Sequence, residues 1–261
     1  MSIEREKFEL EKQQNISRIT NDKDLEAFSR IWQRQTAQYN YVYNFSWLTR
    51  PIIQFPQDIV MIQELIWQVK PDLIVETGIA HGGSLILSAS ILALLDLCDA
   101  IEMGTTLDPK ISKRKVLGID IDIRSHNREA IEEHPLATYI QMIQGSSIAP
   151  EVIKQVKSVA KDYQRVLVYL DSNHTHDHVL AELQAYTPLI STGSYCVVFD
   201  TAIEDMPNEM FGDRPWSKGN NPKTAIWEFL QTNKRFEIHK DIEGKLLITV
   251  APDGCLKCVQ D

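Results

Sequence analysis

The sequence predicts an α/β fold with a mainly parallel, seven-stranded sheet that ends in an antiparallel hairpin. From Pro71 onward, short apolar runs alternate with helical patterns, which is typical of parallel strands joined by right-handed crossovers. The last two apolar runs are joined by a short turn, which predicts antiparallel pairing at one edge of the sheet. The predicted strands are 72–76, 116–120, 137–143, 166–171, 194–200, 235–239 and 245–250, and the predicted helices are 83–97, 126–133, 149–161, 176–186 and 222–232.

Composition and charge exclude several classes of partner. The 261 residues, 43% of them hydrophobic and 24% charged, suffice for one large domain with an appendage. A net charge of −9 argues against a nucleic-acid partner, because such proteins usually display a basic face. The most apolar stretch, 85–97, is interrupted by polar residues and is too short to span a bilayer. With no apolar leader and four scattered cysteines, we expect a cytoplasmic protein without a membrane partner.

Residues 1–70 are predicted to form an N-terminal helical and aromatic segment, and residues 71–261 the main domain. Helical spacing extends to about Gln38, an aromatic cluster follows, and a further helix is expected over 57–69. The aromatic side chains either pack on the core or on a neighbouring subunit, or they line a substrate pocket. We expect the protein to be a homo-oligomer.

Two connections in the main domain are unusually long. Residues 99–115 are expected to form a surface loop after the first helix of the domain. Residues 201–222 contain several prolines and glycines and follow the fifth strand, on the side where ligands bind in open sheets. Loops of this length are often lids.

A glycine-rich turn at 76–84 links the first strand of the domain to its first helix. Glu76 stands two residues before Gly78, and Gly82 and Gly83 precede Ser84. Glycines permit positive φ and close backbone approach, and the following helix N-terminus offers free N–H groups. The spacing differs from that of dinucleotide-binding turns. Because Glu76 suits an ammonium group, the turn indicates S-adenosylmethionine; the alternative is a turn that only packs helix on sheet.

Carboxylates close four predicted strands, namely Glu76, Asp120, Asp171 and Asp200. Ligands of doubly wound sheets lie beyond these strand ends. Asp120 is expected to bind ribose hydroxyls, or else to cap the next helix. Ser146 and Ser147 either face the adenine edge or cap the helix that begins near Pro150.

Asp171 and Asp200 end two strands separated by one helix, so their carboxylates are expected to lie close together. Two facing carboxylates repel unless a proton or a cation lies between them, and oxygen ligands suit Mg²⁺. The alternative is that both cap helices. Three histidines follow Asp171. His174 is expected in the cleft, either as a general base on a substrate hydroxyl or in a structural role, whereas His176 and His178 are expected to face solvent.

The motifs at 44–58, 76–84, 170–174 and 180–188 together resemble the cephalosporin hydroxylase family over about residues 40–258. Despite its name, that family consists of S-adenosylmethionine-dependent methyltransferases, including antibiotic-tailoring and sugar O-methyltransferases. The resemblance implies a Rossmann-like class I methyltransferase fold, a magnesium site at Asp171 and at the pair closing the fifth strand, and His174 with Asp171 as catalytic residues. It also implies a cofactor site at Glu76, Gly78, Ser84, Asp120, Ser146, Ser147 and Asp171.

The chain departs from the family pattern at the fifth strand. The family closes this strand with Glu-Asp, whereas this chain has Phe199-Asp200. Phe199 cannot ligate a metal. Three alternatives are open: Glu204 or Asp205 from the following loop replaces the missing ligand, a water fills the position, or the metal is absent.

The sequence therefore predicts an O-methyltransferase that acts on a hydroxyl group of a small natural-product or sugar-like acceptor, with possible assistance from Mg²⁺. Two alternatives remain at this stage. One is a carbon or nitrogen methyltransferase without a metal, and the other is a non-catalytic scaffold that binds an adenosyl ligand.

Overall fold

The structure, a computed structural model, describes residues 3–260; residues 1–2 and 261, which end the two predicted segments, lie outside this range. The described N-terminal part contains three α-helices, a short 3-10 helix at Tyr41–Asn44 and a small antiparallel hairpin. Asp22 caps the second helix by accepting hydrogen bonds from the N–H groups of Asp24 and Leu25. The elements are α1 (Ile3–Thr20), α2 (Lys23–Ala37), β1 (Phe45–Trp47), β2 (Arg50–Ile52) and α3 (Pro56–Val69).

The main sheet has seven strands in the order β5-β4-β3-β6-β7-β9-β8. The first five in this order are parallel, and β9 is antiparallel to both of its neighbours. The mainly parallel seven-stranded sheet predicted from the sequence is therefore confirmed. The strands are β3 (Leu73–Thr77), β4 (Lys115–Asp120), β5 (Ile140–Gln144), β6 (Val166–Leu170), β7 (Tyr195–Val198), β8 (Phe236–Ile238) and β9 (Cys255–Cys258).

Helices cover both faces of the sheet, so the central strands β3 and β6 are buried along their whole length. One hydrophobic cluster joins the sheet to α3 and α4, and the other joins it to α6, α7 and α8. Both clusters pack against the strands whose carboxyl ends carry the candidate active site described below. The remaining helices are α4 (Gly83–Met103), α5 (Ser125–Glu132), α6 (Pro150–Ala160), α7 (His176–Tyr186), α8 (Pro222–Thr232) and α9 (Lys240–Leu246).

The predicted strand at 245–250 is wrong. Residues 240–246 form α9, Leu247 has a left-handed φ of 61°, and Thr249 and Val250 bind the buried carboxylate of Asp58 instead of a neighbouring strand. The antiparallel partner of β8 is β9, which lies between β7 and β8. Its cysteines lie on opposite faces of the sheet, with Cys255 in one hydrophobic cluster and Cys258 in the other.

Helix α4 is longer than predicted, because it continues to Met103 and ends at Gly104, whose φ is 64°. The surface loop therefore begins after residue 103 rather than at residue 99. By length and composition alone α4 could cross a membrane, so the sequence argument that this stretch is too short does not hold. Half of its apolar window is buried inside the protein, as expected for a core helix; Leu85 and Leu92 are fully buried.

The N-terminal segment packs on the rest of the chain. Helix α1 contacts α9, and the amide of Gln33 on α2 donates a hydrogen bond of 2.8 Å to the carbonyl of Thr249. The rings of Trp32 and Tyr41 pack against Phe55 with centroid distances of 5.7 and 6.2 Å. The division of the chain near residue 70 stays a prediction.

Candidate active site

The turn between β3 and α4 requires glycine for two physical reasons. Gly78 has a φ of 91°, which disfavours any residue with a side chain. A Cβ atom at Gly78 would lie 2.2 Å from the backbone oxygen of Asp171, and one at Gly83 would lie 2.2 Å from the backbone oxygen of Pro51. The turn is thus pressed between β2 and the chain that leaves β6.

Two side chains outside the turn hold it in place, and the sequence analysis did not single them out. The guanidinium of Arg50 donates hydrogen bonds to the carbonyl of His81 and to the side chain of Asn127, at 2.6 and 3.0 Å. Asn127 in turn donates to the carbonyl of Ala80 at 3.0 Å. The arginine lies in the 44–58 motif, which was the available signal in the sequence.

Glu76 is a buried carboxylate with an unmet hydrogen-bonding capacity. It is 2% exposed, and one of its oxygens accepts a hydrogen bond from the hydroxyl of Ser84. Its other oxygen, Oε2, is buried and has no partner among the described residues. Burial raises the pKa of Glu76 to about 8. Because an isolated buried charge is costly, this position fits a cationic group such as an ammonium.

Asp120 braces the glycine turn. Its Oδ2 accepts hydrogen bonds from the N–H groups of Ile79 and Ala80 at 2.8 and 3.2 Å, and its Oδ1 accepts one from Asp122 at 3.0 Å. The alternative that Asp120 caps the next helix is wrong, because Arg124 occupies the N-cap position of α5. A carboxylate has about four lone-pair sites, and the ribose role stays a prediction.

The serines after β5 do not cap a helix, since Ala149 is the N-cap residue of α6 and no side chain caps it. Ser146 is half-buried, and its carbonyl accepts a hydrogen bond from the N–H of Ala149. Ser147 is buried, with its hydroxyl 3.0 Å from Nε2 of His178, while Tyr186 donates a hydrogen bond to its carbonyl. The adenine role of these serines stays a prediction.

His176 and His178 do not face solvent, which corrects the sequence prediction. The ring of His176 lies against α8, at 2.8 Å from the hydroxyl of Thr224 and 3.1 Å from the carboxylate of Glu228. Nε2 of His178 lies 3.2 Å from the hydroxyl of Ser172. The two rings are largely covered by α8 and by the loops after β5 and β6. The spacing of residues in the sequence does not show this packing.

Asp171, His174 and Asp200 lie together beyond β6 and β7, which are neighbours in the sheet. One ligand atom of each residue lies within 4.8 Å of the others. Nε2 of His174 is 3.1 Å from Oδ2 of Asp200. The structure thus brings the two predicted metal-binding carboxylates and the predicted base into one cluster.

The electrostatics of this cluster favour a cation. Burial raises the pKa of Asp171 well above its ordinary value, and the neighbouring carboxylates of Asp200 and Glu76 raise it further. The amide of Gln54 donates a long hydrogen bond of 3.4 Å to the carboxylate of Asp171. Carboxylate oxygens are suitable ligands for Mg²⁺, so a divalent cation would relieve the repulsion between Asp171 and Asp200.

The two loop carboxylates do not complete the cluster, which corrects that alternative. Glu204 accepts hydrogen bonds from the N–H of Gly219 and the amide of Asn221, at 2.7 and 2.5 Å. Asp205 pairs with the ammonium of Lys223 at 2.7 Å. Phe199 is 3% exposed and packs against Tyr169 in the core. The third side chain of the cluster is His174 instead.

A cavity of about 330 Å³ opens onto His174 and Asp200. Its walls come from two distant parts of the chain, the segment around residues 33–55 and the loop 201–221. The N-terminal aromatic residues therefore fill both roles left open by the sequence, since some pack on the core and some line the cavity. The aromatic side chains of the walls are Tyr41, Tyr43, Phe55, Phe211 and Trp216.

Known proteins share this sequence pattern and fold. The family model described as Rhamnosyl O-methyltransferase/CmcI matches residues 39–259. The rhamnosyl O-methyltransferase of Mycobacterium bovis (strain BCG / Pasteur 1173P2) is 29% identical over 146 residues, which cover 56% of this chain and 52% of the relative. The chain thus spans about half the length of the curated relatives that it matches.

Two solved structures establish the fold class. A structure of CmcI with Mg and SAM is 16% identical with a TM-score of 0.50, and covers 84% of this chain and 78% of that chain. The O-methyltransferase from Bacillus cereus in complex with SAH is 14% identical with a TM-score of 0.52, and covers 83% and 82%. At such identities the similarity concerns the fold alone, and it confirms the predicted Rossmann-like methyltransferase fold.

Proposed function

The chain belongs to the rhamnosyl O-methyltransferase/CmcI family, and from this premise we propose that it is an S-adenosylmethionine-dependent O-methyltransferase. Its acceptor is a hydroxyl group of a small sugar-like or natural-product molecule. The observation that carries the proposal is the buried carboxylate of Glu76, which leaves one oxygen without a partner within residues 3–260 beside a glycine turn that admits no side chain.

The residues at the turn fit the proposed cofactor. S-adenosylmethionine supplies a methyl group activated on a sulfonium ion. Glu76 and Ser84 would hold its ammonium group, because a cation satisfies the unpaired oxygen of Glu76 and lowers its pKa. Asp120 would accept hydrogen bonds from ribose hydroxyls, and the loop at 145–147 would contact the adenine. Gly78 allows the backbone to approach the ligand closely.

Asp171 and Asp200 would hold Mg²⁺, which supplies Lewis acidity to a hydroxyl-bearing acceptor when bound. Two observations support this role: the raised pKa of Asp171 beside Asp200 and the Mg present in a CmcI structure of the same fold. With Phe199 packed in the core, the described residues supply two carboxylates, Asp171 and Asp200, to this cluster, so we expect weak binding of the metal.

His174 is the proposed general base. When Nε2 carries the proton and donates a hydrogen bond to the carboxylate of Asp200, the lone pair is on Nδ1. That nitrogen is buried and has no hydrogen-bond partner among the described residues. The ring of Trp216 packs edge-on against the imidazole at 4.7 Å. We therefore infer that the loop carrying Trp216 shifts when an acceptor hydroxyl reaches His174.

Calorimetry and a transfer assay test this function. S-adenosylmethionine and S-adenosylhomocysteine should bind the purified protein, whereas NAD and ATP should not. Labelled methyl groups should then appear on hydroxylated acceptors. Absence of heat with both adenosyl ligands would overturn the proposal, and binding without transfer to any acceptor in a broad panel would favour the non-catalytic scaffold.

We also propose that the protein is a cytoplasmic homo-oligomer. The outer face of α4 supports self-association, because Leu94, Leu97 and Ile101 lie at helical spacing and are 49%, 43% and 70% exposed. Light scattering of the purified protein would measure its mass in solution. A monomer at micromolar concentration would contradict the oligomer, and fractionation of cells that produce the protein would test its location.

A further inference from the structure

The acceptor cavity contains one strongly basic side chain among its described lining residues, that of Arg214. Its guanidinium carbon lies 5.1 Å from the centre of the Trp216 ring, over which it stacks. No carboxylate within residues 3–260 forms a salt bridge with it. Lys223, a basic residue just after the same loop, is by contrast paired with both Asp205 and Asp253.

The distance between the guanidinium of Arg214 and the imidazole of His174 is limited by their shared contact with Trp216. Trp216 contacts both Arg214 and His174, with 5.1 Å from the guanidinium carbon to the indole ring centre and 4.7 Å between the centres of the indole and imidazole rings. The exposed guanidinium of Arg214 therefore lies within about 10 Å of the imidazole in the ligand-free structure, in a cation–π contact with the indole. A small molecule can reach both groups at once.

The cavity is lined by charges of opposite sign, with a carboxylate beside His174 and the guanidinium of Arg214 elsewhere in its wall. Asp171 and Asp200 lie beside His174, and they would repel an acidic group placed there. Arg214 would attract the same group, because a guanidinium binds carboxylates and phosphates through paired hydrogen bonds. An acceptor with an anionic group would thus be oriented with that group toward Arg214 and its hydroxyl toward His174.

The walls and the volume limit the rest of the acceptor. The side chains of Tyr41, Tyr43, Phe55 and Phe211 present flat apolar surfaces, which suit a ring. A volume of about 330 Å³ is at the small end of the range for ligand pockets. The cavity therefore fits a compact ring-bearing molecule.

Resting on the proposed function, we propose that the acceptor is a small ring-bearing hydroxy compound with an anionic group, and that Arg214 binds this group. The chemical class is a carboxylate or a phosphate monoester, about 10 Å or less from the hydroxyl that is methylated. Arg214 is thus a specificity-determining residue of the acceptor site.

The test compares acids with neutral partners of the same shape. Hydroxybenzoates, dihydroxybenzoates and hydroxyphenylacetates are each paired with their primary amides, and hydroxyphenyl phosphate is paired with its neutral dimethyl ester. Binding to the whole protein saturated with S-adenosylhomocysteine is measured by thermal shift and calorimetry. We expect at least one anion to bind about 10-fold or more tightly than its neutral partner, the scale of a hydrogen bond to a charged group. The carboxylate and phosphate arms distinguish the two chemistries.

Variants assign the preference to one residue. Arg214→Gln should remove the difference between acid and amide, and Arg214→Lys should keep part of it. Lys218→Gln, which removes a positive charge from the same loop outside this cavity, should leave the preference unchanged. Equal binding of acid and amide throughout the panel, or a preference that survives Arg214→Gln, overturns the inference. Binding of S-adenosylhomocysteine is measured in parallel, so its loss would contradict the proposed function separately.

Discussion

The candidate site lies at the carboxyl ends of the parallel strands and has two halves. The two halves are built from the chain in different ways. The glycine-turn half comprises Glu76, Gly78 and Ser84, braced by Asp120, and nearly all of it comes from one short stretch. The histidine half comprises Asp171, His174 and Asp200, and its cavity is completed by side chains from residues 33–55 and 201–221.

The two halves also differ in how much freedom they retain. Around Gly78 and Gly83 there is no room for a methyl group, so the turn has one shape. Both halves contain a buried carboxyl with a raised pKa and a buried polar atom without a partner among the described residues, but only the cavity of the histidine half has a wall formed by a long loop. This difference suggests that the first half is built for a constant ligand, and the second for an acceptor that enters and leaves. The predictions below test this contrast.

The largest effect is expected for Gly78→Ala. A left-handed φ costs about 1–3 kcal/mol for a residue with a side chain, and the new methyl group would overlap the backbone of Asp171. We expect a loss of several kcal/mol in the free energy of unfolding and loss of cofactor binding, measured by denaturant unfolding and calorimetry.

Gly193→Ala is the matched control. Gly193 has a similar φ of 84°, but a Cβ atom there would meet no described atom within 4 Å. It should therefore incur only the conformational cost. If the two variants are equally stable and both bind S-adenosylhomocysteine, the close contact at Gly78 is not a constraint.

Glu76→Gln should act in opposite directions on binding and on stability. Binding of S-adenosylmethionine should weaken by about 1.5–3 kcal/mol, the scale of a hydrogen bond to a charged group. The ligand-free variant should be more stable than the wild type at pH 8, because the cost of a buried carboxyl is removed. Calorimetry and thermal melts measure the two effects, and Asp58→Asn, another buried carboxyl, should leave cofactor affinity unchanged. A parallel fall in both quantities at Glu76 would assign it a merely structural role.

The pH dependence of stability follows from the same group. The pKa of Glu76 rises from an ordinary value of 4.5 to about 8 in the folded protein, so between these values the unfolded chain ionises first. The stability of the ligand-free protein should therefore fall as pH rises from 4.5 to 8. Asp58, with its pKa raised from 3.8 to about 7 by burial, acts in the same direction. Melting temperatures across this range measure the trend, which should be weaker in Glu76→Gln and with saturating cofactor.

In the histidine half, removal of metal should have a smaller effect. Two carboxylates hold the proposed Mg²⁺ and Phe199 is in the core, so we expect stimulation of activity that saturates only at a high concentration of Mg²⁺, or no requirement. Titration of Mg²⁺ after chelation measures this. Activity that is abolished by trace chelator and restored by micromolar Mg²⁺ would show that a further ligand completes the site.

The smallest effect is expected in the loop 201–222, whose mobility stays a prediction. In the empty protein, trypsin should cut after Lys218 faster than when S-adenosylhomocysteine and an acceptor are bound. Cleavage after Lys110 and Lys113, in the exposed loop that follows α4, should not change. Equal protection of both loops by ligand would argue against a local lid.

Prediction from the sequence succeeded where a residue's role depends on its neighbours in the chain. The turn at 76–84 was identified because positive φ favours glycine and because a helix begins directly after it. Asp171 and Asp200 were expected to meet because strands joined by one crossover tend to lie side by side. Both arguments use local geometry and a general rule of chain topology.

Tertiary packing decided the remainder. The apolar run at 245–250 has the pattern of a strand, yet the position between β7 and β8 is filled by Cys255–Cys258. His178 has the spacing of an exposed residue, yet it lies against Ser147 and Ser172. The spacing of residues in the sequence does not show which part of the protein a given turn of a helix packs against.

The sequence by itself determined the order of strands and α-helices over residues 71–239, the glycine turn and the carboxylates at the strand ends, because periodicity and backbone sterics act over a few residues. Only the tertiary structure decided that Glu204 and Asp205 bind elsewhere, that His174 joins the two aspartates, and that Arg214 remains without a carboxylate partner within residues 3–260. Those outcomes depend on contacts between segments far apart in the chain, where each polar group binds whichever partner the fold brings within reach.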